Sequence, residues 1–292
     1  MYPDNNWYSH RKILAEYCGV RDKELLGSIQ HGWVSSYNYD SFLIKRKFNF
    51  YCWNDGLSKY SKNKGFNKII PIGAPFLYLC KLNNNLVNNE GSGTLVFPAH
   101  SNLEDYQKVN HKNLIEIIES KFEAPFKVHL YYTDFTPENI LEYKKRGWEI
   151  YSSDIRSSNN FLINLLKNLS NTKTVVSTDI SSVFFYAMYI KKKVFLLRKD
   201  KNDKDLNFIY RNNILKFTED YESNYKELVN GQLSILEQKK IASIELGENY
   251  ILEPKKLKKL LGFGNPFKDF ASKVLSRIIQ VKQGKSLKDG YL

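Results

Sequence analysis

The sequence predicts an α/β protein built on parallel β-sheet, and three observations carry that prediction. Short apolar runs recur along the chain, most of them followed by a segment with helical apolar spacing. The breaks between them are brief, which favours parallel strands covered on both faces by helices. Hydrophobic residues make up 42% of the 292 residues and aromatics 14%, ample for a buried core. At roughly 150 residues per domain the length suggests about two domains.

The alternation is clearest in the second half. Strands are expected at Thr94-Leu95-Val96-Phe97-Pro98, at 126–132, at Glu149-Ile150-Tyr151, at Thr174-Val175-Val176-Ser177 and at 193–197. Helices fall between them at 114–121, 137–146, 159–169 and 181–189. In the first half, Ile13, Leu14 and Tyr17 keep helical spacing, and Gly19 is a plausible stop. A short strand follows at 25–29, a second at 47–53 closed by Asn54-Asp55-Gly56, and a third at Ile69-Ile70-Pro71-Ile72 closed by Gly73-Ala74-Pro75. The segment 57–65 reads as a basic helix. The stretch 81–93, rich in Asn and poor in aromatics, reads as a linker between domains. No internal repeat is present.

Composition narrows the function classes. Lys and Arg total 44 against 31 Asp and Glu, a net charge of +13, so an anionic partner is expected. Cys18, Cys52 and Cys80 have neither disulfide-framework nor zinc-site spacing and fit a reducing compartment. No apolar run reaches the roughly 18 residues of a membrane span, and the N-terminus has no apolar segment of the secretory kind. The expected location is cytoplasmic, free or against the inner face of the membrane. Near the C-terminus Phe267, Phe270, Val274, Leu275 and Ile278 keep i, i+3/i+4 spacing beside Lys268, Lys273, Arg277 and Lys282. That pattern reads first as a helix packed on the domain. The other reading is a basic face on anionic lipid, helped by Lys255-Lys256-Leu257-Lys258-Lys259.

The most informative segment runs Val175-Val176-Ser177-Thr178-Asp179-Ile180-Ser181-Ser182-Val183. A buried strand stops, small polar residues fill the turn, and a helix begins near Ser181. Free N–H groups, the positive helix end and the hydroxyls suit a phosphate or diphosphate at the carboxyl edge of a parallel sheet. Ordinary N-capping by the same residue types explains the segment equally well. His31, in Gln30-His31-Gly32-Trp33, sits at a strand's end, where it could deprotonate an acceptor hydroxyl. Taken alone it reads first as a turn histidine bonded to backbone. His100 and His129 also fall at or just beyond strand ends, whereas His10 and His111 read as solvated surface residues. No Gly-x-Ser-x-Gly elbow or phosphate-binding Gly-x-x-x-x-Gly-Lys-Ser/Thr loop is present, and no zinc-protease or calcium-loop spacing. Asp203-Lys204-Asp205 satisfies Asp-x-Asp but lies in a Lys-rich stretch that reads as a solvated loop.

Gln30-His31-Gly32, Trp53-Asn54-Asp55-Gly56, Ile72-Gly73-Ala74-Pro75, Val96-Phe97-Pro98-Ala99-His100 and Thr178-Asp179-Ile180-Ser181-Ser182-Val183-Phe184-Phe185 appear in that order. Together, over about residues 28–200, they resemble the CDP-glycerol glycerophosphotransferases of teichoic-acid synthesis and related capsule and lipopolysaccharide glycosyltransferases of the GT-B fold. The resemblance implies two Rossmann-like domains facing a cleft and an inverting, metal-independent transferase that needs no cofactor. It implies His31 and, at a second family histidine, His129 as catalytic residues. It implies donor binding by Gly32, Gly73, His100, Ser101, Thr178, Asp179, Ser181 and Ser182. The sequence departs from the family in Leu130, where a proline usually follows the second histidine, and in His100-Ser101-Asn102, which replaces a Thr-Trp-Arg. Loss of that arginine favours a nucleotide-activated sugar (CMP, CDP or UDP type) over a glycerophosphate donor, with polyol-phosphate transfer as the alternative. The expected partners are that donor, a glycan or lipid-linked acceptor of the cell surface, and an anionic membrane face.

The expected organisation is a reduced N-terminal Rossmann-like acceptor domain at 1–80, since few strands precede His31, and a linker at 81–93. A nucleotide-donor domain follows at 94–250, then a basic helical segment at 251–292. A nucleic-acid-binding protein is the competing class, because excess Lys and Arg with many aromatics is its compositional cue. Lys dominates, however, the basic residues are dispersed, and no RNP-like or helix-turn-helix pattern appears, so no nucleic acid is expected. A catalytically inactive partner of a transferase complex is the third reading.

Overall fold

A computed structural model describes residues 3–20, 24–33, 49–62, 68–98, 109–131, 134–152, 154–197 and 232–263. His100, Ser101, the Asp203-Lys204-Asp205 stretch and the apolar–basic pattern of 267–282 lie outside the described residues.

The chain is α/β, as its alternation predicts, with two wholly parallel sheets. After a short 3-10 segment, Pro3–Ser9, come α1 (His10–Tyr17), β1 (Ser28–Ile29), β2 (Phe50–Cys52), α2 (Asp55–Lys62), β3 (Ile69–Pro71) and α3 (Pro75–Leu82). The three strands form the first sheet in the order β1-β2-β3. A short helix α4 (Asn84–Val87) occupies part of the 81–93 stretch. Then follow β4 (Thr94–Phe97), α5 (His111–Lys121), β5 (Phe126–His129), α6 (Pro137–Lys145), β6 (Glu149–Tyr151) and α7 (Phe161–Ser170). The remaining elements are β7 (Thr174–Ser177), α8 (Ser182–Tyr189), β8 (Lys193–Leu196), α9 (Ile235–Glu245) and α10 (Pro254–Leu261).

The second sheet runs β6-β5-β4-β7-β8, so chain direction across the sheet reverses between β4 and β7. Open parallel sheets with that order form a crevice outside the carboxyl ends of the two strands flanking the reversal. Here those ends are Phe97 and Ser177, paired in register. The central strands β4 and β7 are buried along almost their whole length, consistent with helices on both faces.

Helix α3 is an element that periodicity does not show. It starts at a proline in its first turn, where the missing N–H costs nothing, and all of Pro75–Cys80 is buried. A helix apolar on every face has no amphipathic stripe to read. Phe76 stacks on Tyr186 of α8 at 4.1 Å, and Tyr17 of α1 meets Tyr78 edge-on at 4.8 Å. One continuous apolar cluster therefore runs from the first sheet through α3 and α8 into β4 and β7. A separate, smaller cluster under α5 and α6 holds Val96, Val128, Tyr143 and Trp148.

The C-terminal helices return to the first sheet. The Ala74 amide donates to the Leu246 carbonyl at 2.8 Å, Leu26 N to the Leu261 carbonyl at 3.3 Å, and Tyr51 Oη to the Leu260 carbonyl at 3.1 Å. Buried Lys192 donates to the carbonyls of Asn89, Glu90 and Ser170 at 2.5, 3.1 and 2.9 Å, tying the 81–93 stretch to the second sheet. Burial lowers its pKa to about 8.

Phe76→Ala should destabilise the fold by about 3–5 kcal/mol, read from the urea midpoint, because it empties the contact joining α3 to α8.

Candidate functional site

The site is built where the carboxyl edges of the two sheets meet. In the first sheet, Gln30 follows β1 and its side chain stitches two loops together. Its Nε2 donates to the Gly32 carbonyl at 2.8 Å, and its Oε1 accepts from the Trp53 amide at 3.0 Å. Trp53 Nε1 returns a bond to the Gln30 carbonyl at 3.1 Å. The His31–Trp33 turn is thereby held in one conformation. Trp33 then reaches across: its amide donates to Ser182 Oγ at 2.9 Å, and its indole N–H to Glu245 Oε2 at 2.7 Å. Gly32 lies so close to Ser182 that an added Cβ would stand 3.2 Å from the serine hydroxyl.

On the opposite side, β7 ends at Ser177 and the chain turns on its own side chains. Ser177 Oγ donates to the Asp179 carbonyl at 2.6 Å, and Asp179 Oδ1 accepts from the Ile180 amide at 2.8 Å. Thr178 N donates to the Phe97 carbonyl at 3.2 Å, closing the turn over β4. Ser181 is the N-cap of α8 in extended conformation, and its hydroxyl makes no capping bond. Ser181, Ser182 and Val183 are each partly exposed. The first turn of α8 itself carries no acidic residue, and the carboxylate of Asp179 just before it is bonded to the Ile180 amide.

The sequence-nominated residues thus fall into distinct places. His31, Gly32, Ser181 and Ser182 come together at the junction of the two edges, with Asp179 partly exposed in the turn before α8. Ser182 spends its hydroxyl as acceptor for Trp33. Thr178 is 0% exposed and forms the wall behind the turn. Gly73, at φ +80°, faces the Gly247 carbonyl, 3.1 Å from where a Cβ would sit. Gly247, at φ +73°, would drive a Cβ to 1.9 Å from the Trp53 carbonyl. These two glycines let the returning C-terminal segment lie against the loops after β2 and β3. Gly73 therefore packs on backbone, where the sequence reading gives it a donor-binding role.

His129, at the carboxyl end of β5, is buried and stacks on Phe97 at 4.9 Å. Burial pulls its pKa from 6.5 to about 4. Two further histidines correct the sequence reading. His10 is not on the surface: it is fully buried, its ring meets Trp53 edge-on at 6.5 Å, and it interacts electrostatically with His31. Burial first, and His31 second, lower its pKa to about 3. His111, also expected at the surface, is buried with Nδ1 2.8 Å from the Tyr143 hydroxyl. Both sit on helices whose neighbouring residues are polar, which is why periodicity misplaces them.

Sequence reasoning also missed Trp7, Gln30, Trp33, Glu245 and Arg156 as builders of this region. Trp7 packs on His31 with ring centroids 4.7 Å apart. Their partners are up to 212 residues away in the chain, so no local pattern announces them. Among the described residues no three His, Cys, Asp or Glu side chains gather as metal ligands. No described helix is long and apolar enough to cross a membrane.

No family model and no curated protein matches the sequence. Among solved structures, the chain is similar to the UDP-GlcNAc 2-epimerase from Neisseria meningitidis bound to UDP-GlcNAc, with 12% identity and a TM-score of 0.40, over 80% of this chain and 68% of that one. It is similar to the pneumococcal O-GlcNAc transferase GtfA in complex with UDP and GlcNAc at 13% identity and TM-score 0.40, over 86% of this chain and 54% of that one. The wall teichoic acid polymerase TagF matches at 12% and 0.32, over 84% of this chain and 59% of that one. The chemistry of the site rests on this chain's own residues.

The two deeply buried imidazoles should make the protein acid-sensitive. Their folded pKa values, about 4 for His129 and about 3 for His10, lie below the ordinary 6.5, so the unfolded chain binds more protons. Stability is fully present above pH ~6.5 and is lost as pH falls toward ~4, at up to about 1.4 kcal/mol per pH unit for each group. Urea midpoints measured across that range should fall, and His129→Gln should flatten the fall.

Proposed function

We propose that this chain is a GT-B-type glycosyltransferase that moves a sugar from a nucleotide-activated donor to a cell-surface glycan. The observation that carries this reading is the meeting of His31–Trp33 with the first turn of α8, at the chain reversal between β4 and β7. A segment that carries an imidazole on one sheet edge is thus bonded directly to an anion-favouring helix end on the other. That is what group transfer from a diphosphate leaving group requires.

In this reading 1–80 is the acceptor-side domain, 81–93 the linker and 94–250 the donor-side domain. Ser181 Oγ and the amides opening α8 receive the donor's phosphates. The acceptor hydroxyl attacks the anomeric carbon with inversion. The bond from that carbon to the phosphate oxygen breaks, the electron pair leaves with the nucleoside diphosphate, and the acceptor proton passes to His31. Preorganised N–H and hydroxyl dipoles stabilise the charge on the leaving phosphate without reorganising. Ser182 is a positioning residue in this scheme, because its hydroxyl holds Trp33 and with it the turn that carries His31. His129, neutral and stacked on Phe97, does not transfer protons in this scheme.

Helix α10 supports a membrane-facing role. Leu257 and Leu261 are buried in the protein while Lys255, Lys256 and Lys259 point outward. With its leucines already used, the helix offers lipid a charge and no wedge, so binding to anionic vesicles should be reversed by salt within the usual screening range. Sedimentation with phosphatidylglycerol vesicles across a salt series reads this; salt-independent binding would overturn it.

A thermal-shift series with CMP, CDP, UDP and GDP should single out one nucleotide by the stabilisation it confers. Ser181→Ala should weaken that nucleotide about tenfold by removing one donor to an anion. His31→Ala should leave its affinity unchanged and lower transfer by about 10²–10⁴. No stabilisation by any of the four, or loss of nucleotide affinity in His31→Ala, contradicts the assignment.

A further inference from the structure

The segment entering α1 is bent in a way that proteins rarely permit without a reason. Tyr8 and Ser9 lie in succession at φ 57° and 65°, the left-handed region that non-glycine residues avoid. Such conformations persist where surrounding contacts over-determine them, and they concentrate at ligand sites. Several of the contacts here reach the second half of the chain. The Tyr8 amide donates to the Arg156 carbonyl at 2.6 Å, and Ser9 Oγ to the Ser158 carbonyl at 2.9 Å. Lys12 Nζ adds a bond to the Asn159 carbonyl at 3.3 Å, and Tyr8 packs on Phe161 with centroids 4.9 Å apart.

The bend fixes Trp7. On it lies the Arg156 guanidinium, 4.0 Å from the ring centroid, and the same indole packs on His31 at 4.7 Å. Arg156 itself is exposed and forms no ion pair with a described carboxylate. The nearest acid in its own loop, Asp154, is already used: its Oδ1 accepts from the Ile155 amide at 2.8 Å, and a bond with the Ser158 hydroxyl helps hold its pKa low. A guanidinium held over an aromatic ring by cation–π attraction spends no N–H group on that contact, so its fork can still make a two-pronged bond to phosphate or carboxylate.

The position separates this cation from the donor's diphosphate. Arg156 follows β6, at the outer edge of the second sheet and two strands from the β4–β7 reversal. It reaches His31 through Trp7, whose ring touches both. We propose that Trp7 and Arg156 form the acceptor subsite, and that the acceptor carries an anionic group, phosphate or carboxylate, close to the hydroxyl that His31 deprotonates. This rests on the transferase reading and adds the class of acceptor to it.

The test compares glucose, glucuronate and a glucose monophosphate as probes, by saturation-transfer NMR on the full chain without nucleotide, with UDP and CDP binding measured in parallel. The wild type should bind at least one anionic sugar about fivefold or more tighter than glucose. The tighter of the two names the anion. Arg156→Ala should erase the preference and Arg156→Lys keep part of it, while nucleotide affinity stays as in the wild type. Trp7→Ala should weaken all three sugars alike. Arg156→Ala retains the carbonyl that accepts from Tyr8, so the bend survives the change. A preference that persists in Arg156→Ala, equal binding of the three sugars by the wild type, or a loss of nucleotide affinity in Arg156→Ala overturns the proposal. Failure of the transferase reading shows separately, as absence of nucleotide binding by the wild type.

Discussion

The Trp33 amide donates to Ser182 Oγ across 2.9 Å, and the indole of the same residue donates to buried Glu245. Through these two bonds the turn after β1 is fastened to the first turn of α8 and to the end of α9. Remove either acceptor and a backbone or indole N–H is left unpaired in a partly buried place, at a cost of about 1–3 kcal/mol. The larger consequence is positional. His31 lies two residues before the fastened amide, and Gln30 pins the other side of the turn through Gly32 and Trp53. The backbone that carries His31 can therefore move little without breaking one of these bonds, and the ring itself packs on Trp7.

How much of this could be read from the sequence depended on the range of the cause. The strands β4, β5 and β7 and helices α5 to α8 follow from local apolar rhythm and from caps such as Thr136, whose hydroxyl accepts from Asn139 N at 3.3 Å. Helix α3 was hidden because its burial is nearly complete, leaving no polar face to set a period. The burial of His10 and His111 was hidden for the opposite reason: each opens a helix among polar neighbours, and only the tertiary fold covers it. The serines at the start of α8 were legible as a strand-to-helix polar turn. That one of them holds Trp33 was not, because the bond spans 149 residues.

The histidines show how environment sorts one residue type into several roles. His10 and His129 are stripped of water and stay neutral well below ordinary pH, serving as packing surface against Trp53 and Phe97. His111 is buried as well but keeps a tyrosine hydroxyl at hydrogen-bond distance. His31 alone of the four combines partial exposure with a place at the junction of the two sheet edges. Sequence position at a strand end nominated both His31 and His129, but exposure separates them.

Positive charge is distributed by the same logic of what each element has left over. In α10 the apolar residues are consumed by the core, so the lysines remain as an outward face with no competing function. Lys192 is spent on three carbonyls and holds the chain crossing between the sheets. Arg156 is different, because its backbone does the structural work through the Tyr8 amide while its exposed side chain lies over an indole and forms no ion pair among the described residues. A net charge of +13 says only that anions are welcome somewhere. Among these three places, the cation joined through one indole to His31 is the one whose anion would belong to the reaction, since an anion elsewhere would dock the protein or stabilise it without choosing a substrate.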